Sequence, residues 1–92
     1  MAMDLTNLLK LMVEKGISDI HFKANACPAV RINGNLVPAV NIAKVTAADI
    51  EAMAKTIMTP EQSAHWQTAQ EMDLAYSLDG VSRFRVNVFR QR

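Results

Sequence analysis

Apolar residues recur along this chain with two periods, and the switches between them mark its elements. Leu5, Leu8, Leu9, Met12 and Val13 fall at the i, i+3, i+4, i+7, i+8 positions of one helical face. Asp4 stands where an N-cap belongs, and Gly16 where a left-handed residue closes the helix. ISDIHFK then changes to a period of two: Ile20 and Phe22 alternate with Asp19, His21 and Lys23, which predicts a half-buried strand with Asp19 and His21 side by side on its polar face. A second extended piece, AVRINGNLVP, follows Pro28. Its Asn33-Gly34 pair predicts a tight hairpin, because both turn positions need positive φ, with Val30 and Ile32 on one face and Arg31 on the other.

After a loop through VNIAK, Thr46 and Asp49 form a capping-box variant, in which hydroxyl and carboxylate satisfy free N–H groups at a helix start. Ile50, Met53, Ala54, Ile57 and Met58 supply the apolar stripe of that helix. Thr59-Pro60-Glu61-Gln62 starts a third, short helix carrying Trp66: a threonine cap, proline where its missing N–H is harmless, and glutamine at N3. EMDLAYSL and SRFRVNVF then alternate, Met72, Leu74, Tyr76 and Leu78 in one strand and Phe84, Val86 and Val88 in the other. A two-residue Asp79-Gly80 turn would set Tyr76 opposite Arg83 and Leu74 opposite Arg85, placing arginines on the apolar face. A loop one or three residues longer pairs Tyr76 with Phe84, Leu74 with Val86 and Met72 with Val88, so an odd-length loop is expected. Arg83 and Arg85 then share the polar face with Asp73. The order of elements predicts a single α+β domain: a mostly antiparallel sheet with helices packed on one face.

Charge adds an asymmetry to this picture. Residues 1–79 carry five lysines and one arginine against nine acids, whereas residues 80–92 carry Arg83, Arg85, Arg90 and Arg92 and no acid. Guanidinium groups are planar, permanently charged and fork onto phosphate oxygens, so the last strand suits a phosphate or an acidic surface. A charge-guarded, solvated edge strand is the plainer reading of the same residues.

Several chemistries are excluded or left without support. Gly16, Gly34 and Gly80 are the only glycines, so a G-x-x-x-x-G-K-[ST] phosphate loop cannot be written, and these residues alone do not make an ATPase. One cysteine, Cys27, rules out an internal disulfide, and two distant histidines give no metal-ligand spacing. No nucleophile and base fall together, so no catalytic residue is assigned. No apolar run reaches the roughly 18 residues of a membrane span, and the start lacks a signal peptide's basic residues, so a cytoplasmic location is expected.

LLKLMVEKGISDIHF, PAVRINGNLVP, IMTPEQ and EMDLAYSLDGVSRFRVNVFRQR, in that order, resemble the N-terminal domain of the PilT-type twitching-motility ATPases, the type IV pilus retraction motors of the secretion-ATPase superfamily. The most specific pieces are Ser18-Asp19-Ile20-His21 and the G-x-x-R-F-R-V-N-x-F stretch from Gly80 to Phe89. The resemblance implies a PAS-like domain over residues 1–92, followed in the parent by a RecA-like ATPase domain that this chain lacks. It also implies a cytoplasmic homo-hexamer peripheral to the inner membrane, working with the pilus machinery there and binding ATP and Mg mainly through the missing domain. Arg83, Arg85 and Arg90 become candidate contacts to ATP phosphates, with Arg92 a weaker one, and Asp19 and His21 candidate interface residues. Asn25-Ala26-Cys27, where the family tends to have a glycine, departs from the pattern. Two other readings compete: a free-standing PAS-like module that binds a ligand or protein, and a single-strand nucleic-acid binder using the arginines with Phe84 and Phe89. The second conflicts with a buried Phe84.

Overall fold

The computed structural model describes residues 5–39 and 44–90; the expected Asp4 cap, Arg92 and part of the loop before Thr46 lie outside them. The elements run α1 (Leu5–Glu14), β1 (Asp19–Lys23), β2 (Ala29–Ile32), β3 (Asn35–Pro38), α2 (Ala47–Ile57), α3 (Pro60–Trp66), β4 (Glu71–Leu78) and β5 (Ser82–Phe89). Their local chemistry is what the sequence expects. Gly16, at φ 71°, closes α1 in a Schellman motif: its N–H reaches the Val13 carbonyl and the Ile17 N–H the Met12 carbonyl. Ile17 is thereby folded under the helix and buried, while Val13, expected in the apolar stripe, stays 40 % exposed. Both capping boxes form, Thr46 with Asp49 and Thr59 with Gln62. The Thr46 N–H bonded to the Asp49 carboxylate, more than any other influence, holds that carboxyl below the usual aspartate range. Met58, expected in the stripe of α2, is instead its half-buried C-cap.

One five-stranded sheet has the order β3-β2-β1-β5-β4. Three of its four pairings are antiparallel, and the fourth, between the central strand β1 and β5, is parallel, setting Ile20 beside Val86 and Phe22 beside Val88. Asn33 and Gly34 both take positive φ in the β2–β3 turn. Between β4 and β5 the loop is Asp79-Gly80-Val81, an odd number, and it pairs Tyr76 with Phe84, Leu74 with Val86 and Met72 with Val88 as the alternation requires.

The core lies between the three helices and one face of the sheet. Leu8, Leu9 and Met12 from α1, Ile50, Met53, Ala54 and Ile57 from α2, and Trp66 from α3 join Ile20, Phe22, Leu74, Phe84, Val86 and Val88 in one buried cluster. The PAS-like α+β architecture, with helices gathered on one face, leaves the opposite face of the sheet bare. No helix among the described residues is long and apolar enough to cross a membrane.

Candidate functional site on the open face of the sheet

Alternation along each strand decides what the bare face displays. Residues paired across the ladder share a face, so Arg31, Asp19, Arg85 and Ala75 line up from β2 to β4, and Ala29, His21, Asn87 and Asp73 form the next row. Positive and negative groups alternate along it. Arg31 lies 3.6 Å from Asp19 through Nε, and its Nη1 donates to the Gly34 carbonyl at 3.0 Å. Arg85 forks onto Asp73, with Nε donating to both carboxylate oxygens and Nη2 to Oδ2 at 2.6 Å. Those bonds hold the Asp73 carboxyl below its ordinary range and raise the already high Arg85 value. Asn87, though on this face, is only 6 % exposed; its Nδ2 donates to Glu71 and its Oδ1 has no partner among the described residues.

Arg83 differs from its neighbours. Of the four arginines among the described residues, it alone has a side chain with no hydrogen bond or ion pair, and it is exposed beside Ser77 at the loop end of β5. With Ser18, Asp19, Asp73, Ala75 and Arg85 it borders an open depression of about 410 Å³. Asp19 and His21 project from β1 onto the same surface, both half-buried, with no hydrogen bond joining them. Of the five predicted site residues, Asp19, Arg83 and Arg85 thus border one depression, and His21 is adjacent.

Arg90 is placed on the other side. Two residues beyond Val88 on the alternating pattern, it turns toward the helices, where its guanidinium lies 4.0 Å over the Trp66 ring and bonds to Glu51. Nothing local in the sequence pointed to this contact, since Glu51 lies 39 residues earlier. Phe84 is buried, which removes it from any stacking platform. A second hollow of about 250 Å³, between α1 and the β2–β3 hairpin, is smaller than the roughly 300–1,000 Å³ of ligand pockets. Among the described residues no three acidic, histidine or cysteine groups converge as metal ligands, and Cys27 is a half-buried free thiol.

Fold and surface together define a PAS-like α+β domain that displays an arginine-bearing sheet face. No family model matches the chain. Over 89 residues it is 34 % identical to the type IV pilus retraction ATPase PilT of Pseudomonas aeruginosa, a match covering 97 % of this chain and 26 % of that protein. The type IV pilus ATPase PilU of the same organism is 33 % identical over 98 % of the chain and 23 % of its own length. A crystal structure of the pilus retraction motor PilT with bound ADP superimposes with a TM-score of 0.75 at 33 % identity, covering 98 % of the chain and 26 % of the motor. The chain therefore belongs to the PilT-type pilus ATPases as their N-terminal domain, and it spans about a quarter of the length of the relatives it matches.

Proposed function

We propose that this domain regulates a hexameric, cytoplasmic type IV pilus retraction ATPase, presenting Arg83, with Arg85 beside it, to the phosphates of ATP held with Mg on a RecA-like domain. The observation that carries the reading is the free side chain of Arg83. Arg85, Arg31 and Arg90 are each engaged by an acid of the fold, so a phosphate approaching them competes with a carboxylate already in place. Arg83 is extended into solvent without such a competitor. The residues fit one kind of contact to nucleotide: a guanidinium supplied from outside, as arginine fingers are, and not a cradle for the nucleotide itself, because Asp19 and Asp73 also border the depression. Bound Mg-ATP would supply the phosphoryl chemistry. The role of this chain is to place positive charge near the phosphates and to report their presence to the rest of the domain.

Asp19 and His21 fit a complementary task. Half-buried beside Arg85 and Asn87, they form the rim on which a neighbouring subunit or the ATPase domain of the same chain would rest. Arg83→Ala in the full-length ATPase tests the reading: turnover should fall about tenfold or more while the melting temperature is unchanged. Unaltered turnover would remove Arg83 from the nucleotide site.

A further inference from the structure

Arg90 is the last described residue, and more of the fold converges on it than on any other charged side chain. Its backbone N–H donates to the Gln70 carbonyl at 2.8 Å. Its guanidinium uses all three nitrogens: Nε donates to Glu51 Oε2 at 3.3 Å, Nη2 to Glu51 Oε1 at 3.4 Å, and Nη1 to the carbonyls of Gln67 and Ala69 at 3.3 and 3.4 Å. The plane is stacked on Trp66, whose own Nε1 donates to Glu51 Oε1 at 3.1 Å. Glu51 belongs to α2, Trp66 to α3, and Gln67 and Ala69 to the connection into β4. A single side chain at the end of β5 is thus tied to two helices and to the connection that leads into the neighbouring strand.

We propose that Arg90 is a positioning residue: it fastens the end of β5 to the helical layer and so sets the direction in which the chain leaves the sheet, and it does not reach nucleotide. The inference rests on the reading that this domain works within an ATPase. Its physical basis is the number of partners an outward swing would sacrifice. To meet a phosphate on the open face, the guanidinium would have to leave Glu51, abandon two carbonyls and uncover Trp66, which is 1 % exposed. At 21 % exposure the Arg90 side chain is also the less accessible partner of its ion pair, against 47 % for Glu51. A fork with this many fixed partners suits rigid attachment, and a lysine, lacking the plane and the second and third nitrogens, does not replace it.

Two measurements test the proposal. Trp66 is the only tryptophan of the 92 residues, so its fluorescence reports the fastening directly. Arg90→Ala, Arg90→Lys and Glu51→Ala should each raise acrylamide quenching of Trp66 about twofold or more in this chain, as expected when a cover opens locally. In the full-length ATPase the same variants should lower kcat by roughly ten- to a hundredfold through misplacement, with KM for ATP unchanged and the double Glu51/Arg90 variant no worse than either single one. A phosphate contact predicts the opposite pattern: Arg90→Ala raises KM, whereas Glu51→Ala, by releasing Arg90, lowers it. That result, unchanged quenching, or changed quenching with unchanged kcat would each overturn the proposal. Normal turnover in Arg83→Ala beside reduced turnover in the Arg90 and Glu51 variants would instead reject the phosphate-contact reading of Arg83 and support the fastening role.

Discussion

Val86→Ala is the sharpest probe of how β5 sorts its residues between two faces. Val86 is fully buried in the middle strand pairing, with Ile20 on one side and Leu74 on the other. Removing two carbon atoms forfeits about 0.8 kcal/mol of burial for each. The space left behind, on the order of 50 Å³, adds up to about 1.2 kcal/mol if its walls do not close, at about 24 cal/mol per Å³. A loss of roughly 2–3 kcal/mol follows, which for a domain of this size lowers Tm by about 8–24 °C. Arg83→Ala, three positions away on the opposite face and exposed, should stay within about 0.5 kcal/mol of the parent. Urea unfolding of the 92-residue chain, followed by Trp66 fluorescence and circular dichroism, measures both. Equal losses in the two variants, or a Val86→Ala loss under about 1 kcal/mol, would refute the assignment of faces and with it the isolation of Arg83 on the open one.

Two further outcomes follow from the charged face. Asp73 is held below its ordinary value by Arg85, so the folded chain binds fewer protons there than the unfolded one; the stability this adds is present at neutral pH and fades as pH falls through about 4 and below. Asp73→Asn should flatten the stability profile across that acid range, and a profile parallel to that of the parent would mean the Arg85 fork contributes nothing. His21→Ala in the full-length ATPase should weaken ring assembly, measured by sedimentation, while leaving the melting temperature of the isolated domain within about 2–4 °C; normal assembly and normal activity would return His21 to the role of an ordinary surface group.

The fold was legible wherever a local pattern carried it. Gly16, Asn33-Gly34, the two threonine caps and the odd β4–β5 loop each follow from a few adjacent residues, and each is found in place. The pairing of β1 with β5 is different: joining residues about 66 positions apart is a consequence of packing that no local period encodes. The same holds at the candidate site. Alternation put Asp19 and His21 together on the polar face of β1, and Arg83 and Arg85 with Asp73 on that of β5 and β4, but the adjacency of the two groups, the fork of Arg85 onto Asp73 and the freedom of Arg83 depend on which strands and acids the sheet brings alongside. Arg90 stood in a run of arginines and read as one of them. Its partners, Trp66 and Glu51, are distant in sequence, so only the packed structure separates it from Arg83.

The parallel pairing at the centre of the sheet governs the order in which the domain can be made. β1 leaves the ribosome early and β5 late, yet they are neighbours, with β2 and β3 on one side and β4 on the other. At about 5–20 residues per second, the nascent chain waits several seconds between making Ile20 and making Val86. During that interval β1 has its hairpin on one side and an unpaired backbone edge on the other, beside the apolar side chains of Ile20 and Phe22, a surface of the kind that chaperones hold and that strands of other chains can join. Truncations that remove β5 should therefore yield aggregating chains and not a smaller folded domain, since the element they delete is the interior strand that joins β4 to the rest of the sheet.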